Sequence, residues 1–404
     1  MRLLAITAVL AAAAAASDQI PGKQADVAIT NVTLHPADGK VREGVTLVVR
    51  DGKIASIGGE TPDGVQTVDG SGKHLYPGLF EAVSRMGLVE ISAVRATDDF
   101  AESGRFNPEV KAHVAVNPDS EVIPVTRSNG VLLTMTVPVG GLIAGQGSVI
   151  QLDGWTTEDL TIEPRAGMVV NVRDAEDVED FADYLDDARR YKAARDADES
   201  TKHDQRMEAM QAVLAGEQPV VVRANTAKGI TQAVTMAVEN GLNLIVFGGH
   251  DAEEVAPLLK KYGVPVIIDC THRKPLYRHA SYDAAYSLPA RLKKAGVKFC
   301  IAGTDRAENW NTRNLPYHAG TAVAFGLSRE DAIRAITLWP AEILGVADRV
   351  GSLTVGKDAT MILTDGDPLE TATTVEAAWV QGRPVDLDNK QRELGRKYRS
   401  RYAD

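Results

Sequence analysis

Between residues 219 and 326 the chain alternates short apolar runs with longer amphipathic stretches. Pro219-Val-Val-Val-Arg223 precedes a stretch with Ile230, Val234 and Val238 at helical spacing, closed by Asn240-Gly241. Leu242-Asn-Leu-Ile-Val-Phe247 precedes residues 251–262, closed by Gly263, and Val264-Pro-Val-Ile-Ile268 precedes residues 281–295, closed by Gly296. Val297-Lys-Phe-Cys-Ile301 precedes a further helix over residues 314–326. Short β-branched runs predict strands, and the 3.6-residue period between them predicts helices. Repeated strand–helix units give parallel strands joined by right-handed crossovers. A doubly wound sheet and a closed barrel satisfy these four units equally.

The flanks have a different rhythm. Asp26-Val-Ala-Ile-Thr-Asn-Val-Thr-Leu34, Val45-Thr-Leu-Val-Val49 and Lys53-Ile-Ala-Ser-Ile57 are β-rich, with Asp51-Gly52 suited to a two-residue hairpin. Met361-Ile-Leu-Thr364 and Ala377-Ala-Trp-Val380 are strand-like near the other end. Residues 25–75 and 347–390 are therefore expected to pair into one small sheet domain, with 76–346 building the larger unit and 391–404 a polar tail. Inside the larger unit, Val131-Leu-Leu-Thr-Met-Thr-Val137 and Ser148-Val-Ile-Gln-Leu152 predict strands, and residues 95–130 form a polar insertion expected over one end. Residues 174–216 read as helical, with Val178, Phe181, Leu185 and Ala188 on one stripe and an exposed charged bend over 196–206. Ser328-Arg-Glu-Asp331 caps a helix carrying Ile333 and Ile336 and broken at Pro340.

Composition narrows the setting. The chain has 404 residues, enough for a large unit with a satellite, and its net charge of −11 weighs against nucleic acid or an anionic membrane surface as partner. Arg2, an apolar run over residues 3–13 and Ala14-Ala15-Ala16 have the order of a cleavable leader, so residues 1–16 are expected to be removed and the protein to be periplasmic or secreted. An uncleaved anchor is the other reading, and no later run approaches the ~18 apolar residues of a membrane span. Cys270 and Cys300 fall on neighbouring predicted strands, which leaves both a disulfide and two buried thiols open. Without Cys-x-x-Cys spacing they make no zinc site.

Tyr76-Pro-Gly-Leu-Phe-Glu-Ala-Val-Ser-Arg-Met-Gly87 resembles the first barrel strand of the amidohydrolase superfamily, in its imidazolonepropionase-like and prolidase-like branch. Gly351-Ser-Leu-Thr-Val-Gly-Lys-Asp-Ala359 with Asp365-Gly-Asp-Pro368, and Ala335-Ile-Thr-Leu-Trp-Pro-Ala341, resemble further runs of that family. The resemblance implies an α/β fold, a distorted (β/α)8 TIM-type barrel with a composite β-sandwich. It also implies an exported hydrolase of amide-type C–N bonds other than peptide bonds, or of dipeptides. The family's metal-binding histidines fall here on Val83, Arg85, Arg223 and Phe247, and Gly167-Met-Val-Val-Asn-Val172 holds no bridging lysine. Its eighth-strand aspartate corresponds to Asp305. Valine and phenylalanine offer a divalent ion no lone pair, and guanidinium repels it.

Three chemistries stay open. Arg85 and Arg223 near Asp305 can form either a buried structural pair or an anion pocket, in a protein that binds without catalysis or serves an active paralogue as partner. His250, His272, His279 and His318, with Asp251, Asp269 and Asp283, can hold a displaced zinc site, the one route by which a metal cofactor is expected. Alternatively, Asp305 is a metal-free general base. The loop from Gly303 to His318 adds Arg306, Glu308, Trp310 and Arg313. The catalytic assignment is thus Asp305, with Arg85, Arg223, Asn225, His250, His272 and Arg306 as ligand-binding candidates for a small anionic molecule. Homo-oligomerisation is undecided by the sequence.

Overall fold

The structure is a computed structural model that describes residues 26–303 and 309–402. The leader expected at 1–16 lies outside the described residues. The first strands are β1 (Val27–Leu34), β2 (Arg42–Arg50), β3 (Lys53–Ile57), β4 (Gln66–Asp69) and β5 (His74–Pro77). The barrel strands are β6 (Leu79–Ser84), β7 (Val131–Thr136), β8 (Ile143–Gln151), β9 (Thr161–Val170), β10 (Val220–Ala224), β11 (Leu244–Gly248), β12 (Val266–Asp269) and β13 (Phe299–Ala302). The chain closes with β14 (Met361–Thr364), β15 (Val375–Val380) and β16 (Arg383–Pro384).

One sheet runs β16-β15-β14-β5-β1-β2-β3, with β4 also paired to β1. Asp51 (φ 48°) and Gly52 (φ 75°) occupy the left-handed conformations that a tight β2–β3 hairpin needs. β5 joins the two ends of the chain, lying parallel to β1 and antiparallel to β14. Val27, Ile29, Leu47, Ile54, Leu75, Leu363 and Trp379 form the core of this separate sheet domain. The backbone then crosses Gly78 straight into the barrel. A Cβ there would sit 2.9 Å from Leu132 Cδ1 and 3.0 Å from Thr360 Cγ2, so only glycine passes between the two layers.

The second sheet runs from β6 to β13 in chain order, a nearly closed eight-strand barrel. β6–β7 and β9 to β13 are parallel, whereas β7–β8 and β8–β9 are antiparallel. The links around β8 are too short for crossover helices, so this quarter of the barrel is a meander. Elsewhere alternation sorts the side chains into two layers. Val220, Val222, Leu244, Val246, Val266, Ile268 and Phe299 pack against the helices. Val221, Ile245, Ile267, Cys300, Phe80 and Leu133 fill the interior. Both cysteines are buried thiols.

Helical expectations shorten where proline intervenes. Residues 251–262 and 281–295 give only Ala256–Tyr262 and Leu288–Ala295, each with proline in its first turn. Proline has no N–H to extend a preceding turn, so the residues before it form turns instead. Gly241, Gly263 and Gly296 end their helices in left-handed conformations, as their positions suggest. The break assigned to Pro340 falls earlier, between Arg329–Ala335 and Leu338–Ile343. Pro340 cannot use the Ile336 carbonyl, which accepts the Phe80 N–H at 2.7 Å instead. Residues 391–404, expected as a polar tail, contribute to the helix Lys390–Ser400.

A side chain bridges the seam between β13 and β6. Gly303 N–H donates to Glu81 Oε2 at 2.8 Å. Glu81 is fully buried, and burial pushes its pKa up to about 8 against the opposing pull of the Gly303 and Val83 amides. A carboxyl raised from 4.5 to about 8 holds its proton more tightly in the native state than in the unfolded one. Its stabilising contribution is therefore complete below the unfolded value and is lost as pH rises towards the folded one. The slope is at most about 1.4 kcal/mol per pH unit. Glu81→Gln keeps an acceptor without a charge. Thermal unfolding across this window should fall with pH in the native chain and flatten in Glu81→Gln, with higher stability at neutral pH; equal slopes would contradict the assignment.

Candidate functional site at the barrel mouth

In such barrels chemistry gathers where strands run out into their loops. Arg223, Phe247 and Asp269 all share inward parity with Val221, Ile245 and Ile267. Arg223 and Phe247 are register partners, and Asp269 stands one layer higher on the next strand. The Arg223 side chain crosses the Phe247 ring, its guanidinium 5.2 Å from the centroid, and donates to Asp269 Oδ2 at 3.0 Å. His250 Nε2–H donates to the other oxygen, Oδ1, at 2.5 Å. Asp269 is 3% exposed and Arg223 42%, so one buried carboxylate orients a cation that reaches water. In the neutral ring with Nε2 carrying the proton, His250 Nδ1 presents a lone pair, and it has no hydrogen-bond partner among the described residues.

Arg85 approaches from β6. Its guanidinium covers the Phe100 ring at 4.3 Å, where the insertion folds over this rim. Burial pulls its pKa below the usual arginine range, the Arg223 guanidinium lowers it further, and Asp98 opposes both. Arg85 and Arg223 are thus within electrostatic reach of each other. Beside Arg223 opens a cavity of about 500 Å³, lined by Gly104, Arg105, Gly140, Gly141, Asn171 and Arg173. Arg105 and Arg173 both bind the Asp177 carboxylate, at 2.9 and 3.1 Å, so Arg223 is the cavity cation whose carboxylate partner lies across the barrel rather than in this wall.

The other expected residues are distributed more widely. Asn225 is held below the turn that carries His250. Its carbonyl accepts the Asp251 N–H at 2.9 Å, and its Oδ1 lies 2.0 Å from where a Cβ on Gly248 would stand. Gly248 (φ 107°) and Gly249 (φ 63°) supply the reversal that directs His250 back over the mouth. His272 belongs to another cluster. Its ring lies 4.1 Å from that of His318, its Nε2 meets Thr321 Oγ1 at 2.6 Å, and it lines a second cavity of about 470 Å³ with Arg273, Lys274 and Tyr286. Burial, then His272, pushes His318 down to about 3. His279 stacks on Tyr277, whose hydroxyl donates to Asp251 at 2.7 Å. Asp305, Arg306 and Glu308 lie outside the described residues.

The four loop histidines therefore occupy three places. Among the described residues no group of three or more His, Cys, Asp or Glu is arranged to hold a metal ion. Val83 is buried in the interior core, Arg85 lies on Phe100, and Arg223 and Phe247 form a cation–aromatic stack. The implied catalytic metal does not fit these side chains. Asp269 had entered the sequence reading only as a companion of the histidines. Its signal was a carboxylate closing an otherwise apolar strand in the parity of Ile267. Phe100 gave none, because it meets Arg85 only through the fold, and neither did Asn171, Arg105 and Arg173, which the fold brings to the Arg223 cavity.

These features define an amidohydrolase-type barrel with a separate sheet domain. The chain belongs to the amidohydrolase family, whose model matches residues 187–387. It is 21% identical over 368 residues to the amidohydrolase tasK of Hapsidospora irregularis, a match covering 80% of this chain and 37% of that protein. It is 37% identical over 82 residues to an imidazolonepropionase of Syntrophobacter fumaroxidans, covering 20% of this chain and 19% of the relative. The chain thus spans well under half of either relative. An amidohydrolase structure from Thermotoga maritima superposes with a TM-score of 0.81 at 26% identity, covering 89% of this chain and 99% of that one.

The Arg223–Asp269 pair is open to a double-mutant cycle. Arg223→Gln and Asp269→Asn should show a coupling of about 1 kcal/mol in unfolding free energy, modest because the guanidinium is partly solvated. Additive effects would mean that the pair does not hold the mouth together.

Proposed function

We propose that this chain is an exported hydrolase of the amidohydrolase family, acting on amide-type C–N bonds of small anionic molecules, dipeptides included, without a metal at the usual position. The observation that carries this is the Arg223 guanidinium, held by Asp269 beside the His250 ring and lining the cavity at the mouth, with Arg85 in electrostatic reach. Two guanidiniums in reach of one another are relieved by an anion between them, and their donor forks match a carboxylate. A substrate anchored there would present its amide carbonyl near His250.

Hydrolysis needs a base for water and positive charge for the oxyanion. Asp305 is the base assigned from the sequence. His250 supplies a second candidate, its Nδ1 lone pair accepting the water proton while Asp269 orients the ring and stabilises the imidazolium. The developing oxyanion would be met by a guanidinium. The anchor and the base remain separable by experiment, since one governs affinity and the other turnover.

A screen of N-acyl amino acids and dipeptides against chelator-treated protein tests the proposal. Turnover should persist after chelation. Arg223→Gln should raise KM at least about tenfold, the loss of one charge-assisted contact, and His250→Ala should lower kcat with KM little changed. Anion binding without any turnover would leave a binding protein; turnover that chelation abolishes would overturn the metal-free reading.

A further inference from the structure

The whole-chain charge conceals a local exception. Helix Lys390–Ser400 starts at Asn389, whose Oδ1 accepts the Arg392 N–H at 3.0 Å, and none of its residues is buried. Arg392 donates to the Leu387 carbonyl at 2.9 Å, and Arg396 grips Asp388, so the first turns are moored to the body. Beyond that mooring the helix projects its side chains into solvent. Lys390, Lys397, Arg399 and Arg401 have no ion-pair partner among the described residues, and Glu393 is the one acid in the helix. Leu394 and Tyr398 lie four residues apart on one face, and Tyr402 follows in the next turn. They are 38%, 58% and 80% exposed.

We infer that this helix docks the protein on an anionic phospholipid surface. A basic helix with an aromatic and aliphatic face lies in the plane of such an interface, its apolar side reaching the acyl boundary and its cations meeting the headgroups. Each Lys or Arg near an anionic leaflet contributes about 1 kcal/mol. Tyrosine suits the boundary because its ring is apolar and its hydroxyl stays wet. The acidic excess elsewhere does not forbid this, because charges farther away than a Debye length of about 8 Å are screened. Nucleic acid would satisfy the cations, but it would leave Leu394 in water. The exposed apolar face therefore favours lipid. Docking would leave the cavity beside Arg223 free, since no helix residue is among the described residues that line it.

Co-sedimentation of the full chain with phosphatidylglycerol–phosphatidylcholine vesicles tests this. Binding should appear with the anionic mixture, vanish with phosphatidylcholine alone and weaken at high salt. Lys397→Glu with Arg401→Glu should reduce it at least about tenfold, and Tyr398→Ser should weaken it even at high salt. The fold of each variant is checked by its thermal midpoint. Equal sedimentation with both vesicle types, charge reversal without effect, or tighter binding to a DNA duplex that ignores Tyr398→Ser would each overturn the inference.

Discussion

The Asp269 carboxylate is the contact on which the mouth of this barrel depends. It sits at the end of β12 with both oxygens engaged, one by Arg223 and one by His250. Neither donor would hold its place alone. Arg223 is a long side chain that must cross β11, and the Phe247 ring gives it a surface to lie on. His250 stands on a loop whose reversal rests on two glycines in left-handed conformations. A single buried anion converts these mobile groups into an ordered pair, at the cost of burying a charge that only close partners can stabilise.

That mouth is positioned by two structural constraints further down. β5 belongs to the separate sheet and β6 to the barrel, so the chain must pass between two packed layers at Gly78. This passage fixes β6, and with it Val83 and Arg85. At the seam the Glu81 carboxyl takes the Gly303 amide, and the Ile336 carbonyl released by Pro340 takes the Phe80 amide. The barrel is thereby completed by side-chain and helix-end contacts where, among the described residues, no ladder joins β13 to β6. Those contacts lie directly beneath the rim carrying Arg85.

Much of this was legible beforehand, for identifiable reasons. Strands β10 to β13 were readable because a buried parallel strand is a short apolar run, and the helices after β10, β11 and β12 end on glycines. The β7–β8–β9 meander was only half visible, since β8 is buried throughout and carries no alternation. Helix starts were misplaced where Pro257 and Pro289 moved them, although the prolines themselves were in view. At the site, Arg85 and Arg223 could be named from the family pattern and His250 from its place after a predicted strand, and the structure links Arg223 and His250 through Asp269, with Arg85 in electrostatic reach. His272 and Asn225 went elsewhere because strand order does not determine which way a loop turns. The helix at 390–400 was hidden by reading charge over the whole chain rather than locally.

The central proposal is that arginine and a carboxylate-held histidine occupy the place where the family resemblance implies a metal. Elemental analysis of protein purified from zinc- and manganese-supplemented medium tests it most directly. The account predicts metal far below one equivalent per chain, unchanged by His250→Ala. Stoichiometric zinc or manganese that disappears with that substitution would contradict it.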